Sequence, residues 1–112
     1  MVFGVFDNFH QGHNFFLSKA RKLCEKLVVV LATENVAVSL KMKKPRQNYH
    51  ARFSVIKNTF KNVTITPSDE IIGSWQVLEK FKPDVALLGY DQKEIGRELK
   101  KRGQHSIFLK SF

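Results

Sequence analysis

Cysteine is nearly absent from this 112-residue chain: Cys24 stands alone. No internal disulfide can close and no cysteine-based zinc site can be completed, which suits a reducing, cytoplasmic compartment. No apolar run reaches the length of a membrane span. The start, Met1 to Phe6, is apolar but meets Asp7 at once and has no basic stretch before it, so it does not read as a signal peptide. Internal repeats and low-complexity segments are missing as well. Acidic side chains are scarce, 10 against 19 basic, for a formal charge of +9. None falls between Asn35 and Ser68, a window that holds Lys41, Lys43, Lys44, Arg46, Arg52, Lys57 and Lys61. Such a balance calls either for an acidic partner, such as nucleic acid, an anionic membrane or a phosphorylated metabolite, or for nothing more than a solvated basic face.

What is present fits one globular domain. Residues are 43% apolar and 26% charged, and a chain of this size buries roughly two-thirds of its unfolded surface, enough for one core. Short apolar runs at Met1 to Phe6, Leu27 to Ala32, Val63 to Thr66, Val85 to Leu88 and Ser106 to Leu109 read as strands buried on both faces of a parallel sheet. Between them, Phe16, Ala20, Leu23 and Leu27 recur at helical spacing, as do Tyr49, Phe53, Ile56 and Phe60. A third helix is expected over Trp75 to Phe81, begun by Ser68-Asp69-Glu70, and a fourth over Lys93 to Arg102, capped by Gly103. Thr33 to Gln47 reads as a long irregular loop. Alternating strands and helices with right-handed crossovers predict a doubly wound, Rossmann-like α/β fold with one parallel five-stranded sheet and helices on both faces.

In such sheets ligands bind beyond the carboxyl ends of the strands. That rule selects three loops, at Asp7 to His13, Thr33 to Arg46 and Gly89 to Gln92. In the first, His10 and His13 flank Gly12 at the opening of a helix, where unpaired backbone N–H groups and the positive end of the helix dipole favour an anion. Gly12 offers close backbone approach, and each imidazole can donate a hydrogen bond to charge developing on a phosphoryl oxygen. A metal site and a pair of surface histidines are the competing readings. His50 and His105 lie in distant segments, which weakens the metal. Aromatic side chains such as Trp75 and the phenylalanines can stack on a base or a flavin ring; most of the ten phenylalanines fit a core instead, while Phe9 and Tyr90 are the better ligand-stacking candidates. Cys24 reads as a small buried hydrophobe.

The run Gly4-Val5-Phe6-Asp7-Asn8-Phe9-His10-Gln11-Gly12-His13 resembles the signature of the cytidylyltransferase-like nucleotidyltransferases, which include glycerol-3-phosphate cytidylyltransferases and archaeal-type FAD synthases. The resemblance continues through Lys41-Met42-Lys43-Lys44, Arg52 and Phe81 to Gln92, then Glu98 to Gly103. Its Gly89-Tyr90-Asp91-Gln92 stretch looks most like the FAD synthase branch. It implies that His10, His13 and Lys43 are catalytic. Gly4, Val5, Phe6, Asp7, Phe9, Gly12, Lys41, Lys44, Arg52, Gly89, Tyr90 and Asp91 are implied to bind nucleotide and phosphates. It further implies Mg²⁺ with ATP or CTP, a small phosphorylated acceptor, FMN with ATP ahead of glycerol 3-phosphate with CTP, and release of pyrophosphate. No dedicated carboxylate cage for Mg²⁺ is apparent. Asp7 is the nearest carboxylate and is equally suited to holding its loop through backbone hydrogen bonds.

Three departures accompany the resemblance. Val5 stands where the family usually has Thr. Few residues precede the motif. The sequence also stops at Phe112, before the family's Ser/Thr-Ser/Thr-x-Lys/Arg segment, so either it is a fragment or its site is incomplete. The family commonly forms homodimers, which no residue pattern here establishes. The reading from a different class is a non-catalytic nucleotide- or RNA-binding module using the basic window, although no recognised nucleic-acid motif accompanies it.

Overall fold

The computed structural model of the protein describes residues 1–71 and 73–109. Strands and helices alternate along them as β1 (Val2–Gly4), α1 (Gln11–Leu23), β2 (Val28–Leu31), α2 (Glu34–Lys41), α3 (Tyr49–Thr59), β3 (Thr64–Pro67), α4 (Gln76–Phe81), β4 (Ala86–Leu88), α5 (Lys93–Lys101) and β5 (Ser106–Phe108). All pairings are parallel. β1 pairs with β2 in the register Phe3 to Val30, and β2 with β3 in the register Val29 to Ile65. β4 pairs with β5 in the register Leu87 to Ile107.

The expected single five-stranded sheet is instead a three-stranded sheet, β1-β2-β3, beside a two-stranded one, β4-β5. They meet along β1 and β4, where the Met1 amino group donates to Val85 O (3.0 Å) and Leu87 N donates to Met1 O (2.9 Å). The ladder goes no further. Phe3, Val30, Ala86 and Leu88 nevertheless share one core with Leu99 of α5 and Val77 of α4, so the two sheets are sewn by packing across the seam. The edge strand β5 is not buried on both faces, for Ile107 and Phe108 are 44% and 49% exposed.

The opposite core gathers Val2, Val29 and Leu31 of the sheet with Leu17 and Ala20 of α1 and Ile56 of α3. The inward stripe of α1 is Leu17 and Ala20 with the half-buried Phe16, and the C-cap Cys24 packs on the same core. Leu23, assigned to that stripe by spacing, is 56% exposed, and Leu27 lies beyond the helix end. For α3 the spacing holds: Ile56 is buried, and Tyr49, Phe53 and Phe60 pack on the same core.

Thr33 to Gln47 is not irregular throughout, since Glu34–Lys41 form α2. Thr33 caps it by accepting from Val36 N, Val36 and Ala37 are buried against Val5 and Ala32, and Met42 ends it in the left-handed conformation (φ 59°). Nor do Ser68-Asp69-Glu70 begin α4. Ser68 Oγ accepts from Thr33 N, and Asp69 reaches Val77 N in the first turn from eight residues upstream. Gly103, at φ 75°, follows α5 as expected for a residue beyond a helix end.

Candidate active site

The carboxyl end of β1 turns sharply. Gly4 O still accepts from Ala32 N (2.9 Å), but Phe6 and Asn8 then adopt φ of 50° and 52°, a conformation that Asn takes readily and a bulky side chain such as Phe6 rarely does. The Phe6 ring folds back over Gly4, where a Cβ would come within 2.6 Å of it. Gly4 is therefore required by Phe6. Both Val5 and Phe6 are buried, so only their backbone is placed to meet a ligand. The Phe6 ring meets His13 edge-on at 5.5 Å and Phe16 at 6.5 Å.

His10 is the N-cap of α1 and His13 is its third residue. The His10 Nδ1 accepts from Gly12 N (3.0 Å), and His13 Nδ1 accepts from His10 N (3.2 Å). Their rings stack, 3.8 Å between centroids and 24° between planes. With each Nδ1 occupied as an acceptor, a neutral ring carries its proton on Nε2. Both side chains are thus preset as Nε2–H donors at a helix N-terminus. Gly12 makes this possible: a Cβ there would lie 2.9 Å from His10 Cε1. Its absent side chain accommodates the imidazole. His13 is held low, to about 4, by burial first and then by the positive charges of His10 and Lys41, which together outweigh Asp7. Phe9 tilts against His13 at 5.4 Å and is half-buried.

The basic window is fastened over this loop. Asp7 accepts from Arg46 N (2.8 Å, Oδ2) and Gln47 N (2.9 Å, Oδ1), and Gln47 Oε1 accepts from Asn8 N (3.1 Å). Desolvation raises the Asp7 carboxyl, but those two N–H donors and the charges of Arg52 and Arg46 leave it below the usual carboxylate range. The strap from Met42 to Gln47 therefore runs from the end of α2 to an anchor beside the histidines. Lys43 and Lys44 are exposed along it, and Lys41, the last residue of α2, is exposed where it begins.

Arg52 is placed differently from a surface phosphate ligand. Its side chain is fully buried, with Nη1 donating to Val5 O (3.0 Å) and Ala32 O (2.7 Å) and Nε to Gln47 O (3.0 Å). It ties the ends of β1 and β2 to the strap, and burial lowers its pKa. Gly89, Tyr90 and Asp91 form a turn after β4, closed by Gln92 N donating to Gly89 O (3.0 Å). Tyr90 is 67% exposed. Sequence reasoning missed Gln47, Asn8 and Gln92. The Gln92 signal was its place in the Gly-Tyr-Asp-Gln tetrapeptide, while Gln47 and Asn8 gave none. Among the described residues no three His, Cys, Asp or Glu side chains converge to hold a metal, and both Asp7 oxygens are engaged by backbone. No helix there is long and apolar enough to cross a membrane.

Parallel strands with crossover helices and a histidine-capped helix at the end of β1 define a nucleotidyltransferase-type α/β domain. The chain belongs to the cytidylyltransferase-like family, whose model matches residues 1–105. It is 38% identical to the FAD synthase of Aciduliprofundum boonei, an alignment covering 92% of this chain and 70% of that protein. It is likewise 38% identical to the FAD synthase of Methanothermus fervidus, over 91% of this chain and 74% of that one. Among solved structures it resembles a lipopolysaccharide core biosynthesis protein from Thermoplasma volcanium, with a TM-score of 0.78, 30% identity, and coverage of 100% of this chain and 93% of the other.

Proposed function

We propose that the chain transfers the adenylyl group of ATP to the phosphate of FMN, forming FAD and releasing pyrophosphate. The observation that carries the chemistry is the stacked His10–His13 pair, whose Nδ1 atoms are pinned by backbone, leaving the Nε2–H groups, which bond to none of the described residues, for phosphoryl oxygens. The choice of ATP and FMN rests on the likeness to proteins named FAD synthase. An oxygen of the FMN phosphate attacks the α-phosphorus of ATP. The new P–O bond forms as the bond to the bridging oxygen breaks, and pyrophosphate leaves with that electron pair. A phosphate monoester is largely dianionic above about pH 6, so the attacking oxygen needs no general base.

The protein's part is to position the two phosphates and to stabilise charge. His10, His13 and the N-terminus of α1 donate to the α-phosphate. Lys43 stabilises the departing pyrophosphate, and Lys41 and Lys44 neutralise the triphosphate. Asp7 and Arg52 act by holding the strap and the strand ends. The turn at Gly89-Tyr90-Asp91 meets the base, and Phe9 lies beside the histidines. Mg²⁺ enters as the substrate's own ion on the triphosphate, in keeping with its habit of binding through substrate phosphates and water. The lone thiol fits a reducing compartment, the cytoplasm.

The experiment is separation of flavins and nucleotides after incubation with Mg²⁺, either ATP or CTP, and either FMN or glycerol 3-phosphate. FAD from ATP, and no flavin product from CTP, is the expected result. Transfer from CTP to glycerol 3-phosphate would replace this reading.

A further inference from the structure

The seam between β1 and β4 stops being a ladder at a definite place. Met1 N to Val85 O and Leu87 N to Met1 O set a parallel register that brackets Met1 between residues 85 and 87. Two residues on, the same register would bracket Phe3 between residues 87 and 89, with Gly89 N donating to Phe3 O. A side chain occupies that bond instead. Gly89 N donates to Gln92 Oε1 (2.9 Å), and Gln92 Nε2 donates to Phe3 O (2.8 Å). The carboxamide is inserted between the two strands as a spacer that satisfies both backbone groups. Although Gln92 is the N-cap of α5, its side chain makes no cap bond to that helix, and among the described residues its carboxamide bonds only across the seam.

The two strand ends so separated lead to different loops. β1 runs into the histidines, and β4 into the turn at Gly89-Tyr90-Asp91. Between them lies Phe16 of α1, whose ring would touch a Cβ on Gly89 at 4.0 Å. The strand order reverses at this point, where open parallel sheets form their ligand crevice. We infer that Gln92 is a positioning residue that sets the width of the nucleotide cleft, fixing the distance from the phosphate-binding histidines to the turn that meets the base. The inference rests on the adenylyl-transfer reading. It adds that a ligand spanning both loops senses Gln92, whereas one confined to the histidine side does not.

The test compares Gln92→Met, of similar shape and without polar atoms, and Gln92→Glu, which keeps the acceptor for Gly89 N but sets an oxygen against Phe3 O. Dissociation constants are measured for MgATP and for inorganic tripolyphosphate with Mg²⁺, together with hydrogen exchange at the Gly89 amide. In both folded variants MgATP binding weakens by about tenfold, the scale of one unmade buried hydrogen bond. Tripolyphosphate binding stays within about twofold, as for a site with no shared partners. The Gly89 amide loses its protection in Gln92→Met and keeps it in Gln92→Glu. Unchanged MgATP affinity in the variants, or equal weakening of both ligands, overturns the role of Gln92 and leaves the reaction standing. Failure of the wild-type chain to bind MgATP overturns both. Should Gln92→Met fail to fold, the two affinities of Gln92→Glu decide.

Discussion

The imidazoles of His10 and His13 lie face to face, 3.8 Å between centroids, and the second accepts a hydrogen bond from the backbone N–H of the first (3.2 Å). This one relationship fixes the tautomer of His13 and the start of α1 together. Replacing either ring by Ala removes a preset donor from the α-phosphate. Each variant should lose on the order of 10²–10³ in turnover, with its circular dichroism spectrum unchanged. Near wild-type rates in both would remove the histidines from the chemistry.

Stability should fall on acidification through His13. In the unfolded chain this ring takes up its proton near 6.5, whereas burial and its cationic neighbours hold it at about 4 in the fold. Across that window the unfolded state binds the extra proton, so stability drops as pH falls from about 6.5 towards 4 and owes nothing to His13 above it. Urea midpoints across this range should slope less in His13→Asn than in the wild type. Parallel slopes would contradict the assignment.

Arg52 is expected to matter for folding rather than for ligand charge. Arg52→Met leaves the carbonyls of Val5, Ala32 and Gln47 without their donor, a loss of about 2–4 kcal/mol. Arg52→Lys should recover little, because an ammonium lacks the planar fork that serves three carbonyls. Urea denaturation measures both, and full recovery by Lys would argue against this geometry.

The Asp7 clamp predicts a different pattern. In Asp7→Asn one oxygen becomes an NH₂ facing the N–H of Arg46 or Gln47, so the strap is released on one side. The KM for MgATP should rise by about tenfold and trypsin should cut sooner after Lys43 or Arg46, while FMN binding is little changed. An unaltered cleavage rate would show that the strap is held by other means.

Much of the architecture was legible because its signals are periodic. Five apolar runs fell on the five strands, and Tyr49, Phe53, Ile56 and Phe60 traced the inward side of α3. What escaped was set by contacts far apart in sequence. Glu34–Lys41 carries two valines and a serine, weak helix formers, and is made helical by its Thr33 cap and by burial of Val36 and Ala37. The break between β1 and β4 depends on a carboxamide 89 positions away from Phe3, a relation no local pattern records. The site was legible as chemistry, through two histidines about a glycine. The roles of its supporting residues were not: basic side chains look alike in sequence, yet Arg52 is buried beneath the strap and Lys43 and Lys44 are exposed upon it.

The central claim, attack on the α-phosphorus of ATP by the phosphate of FMN, is tested most directly by ³¹P NMR of the chain with FMN, ATP and Mg²⁺. The account predicts that the diphosphate diester resonances of FAD and free pyrophosphate grow together in equal amounts. Appearance of ADP, or of pyrophosphate without FAD, would place the attack at another phosphorus or on another acceptor and would contradict it.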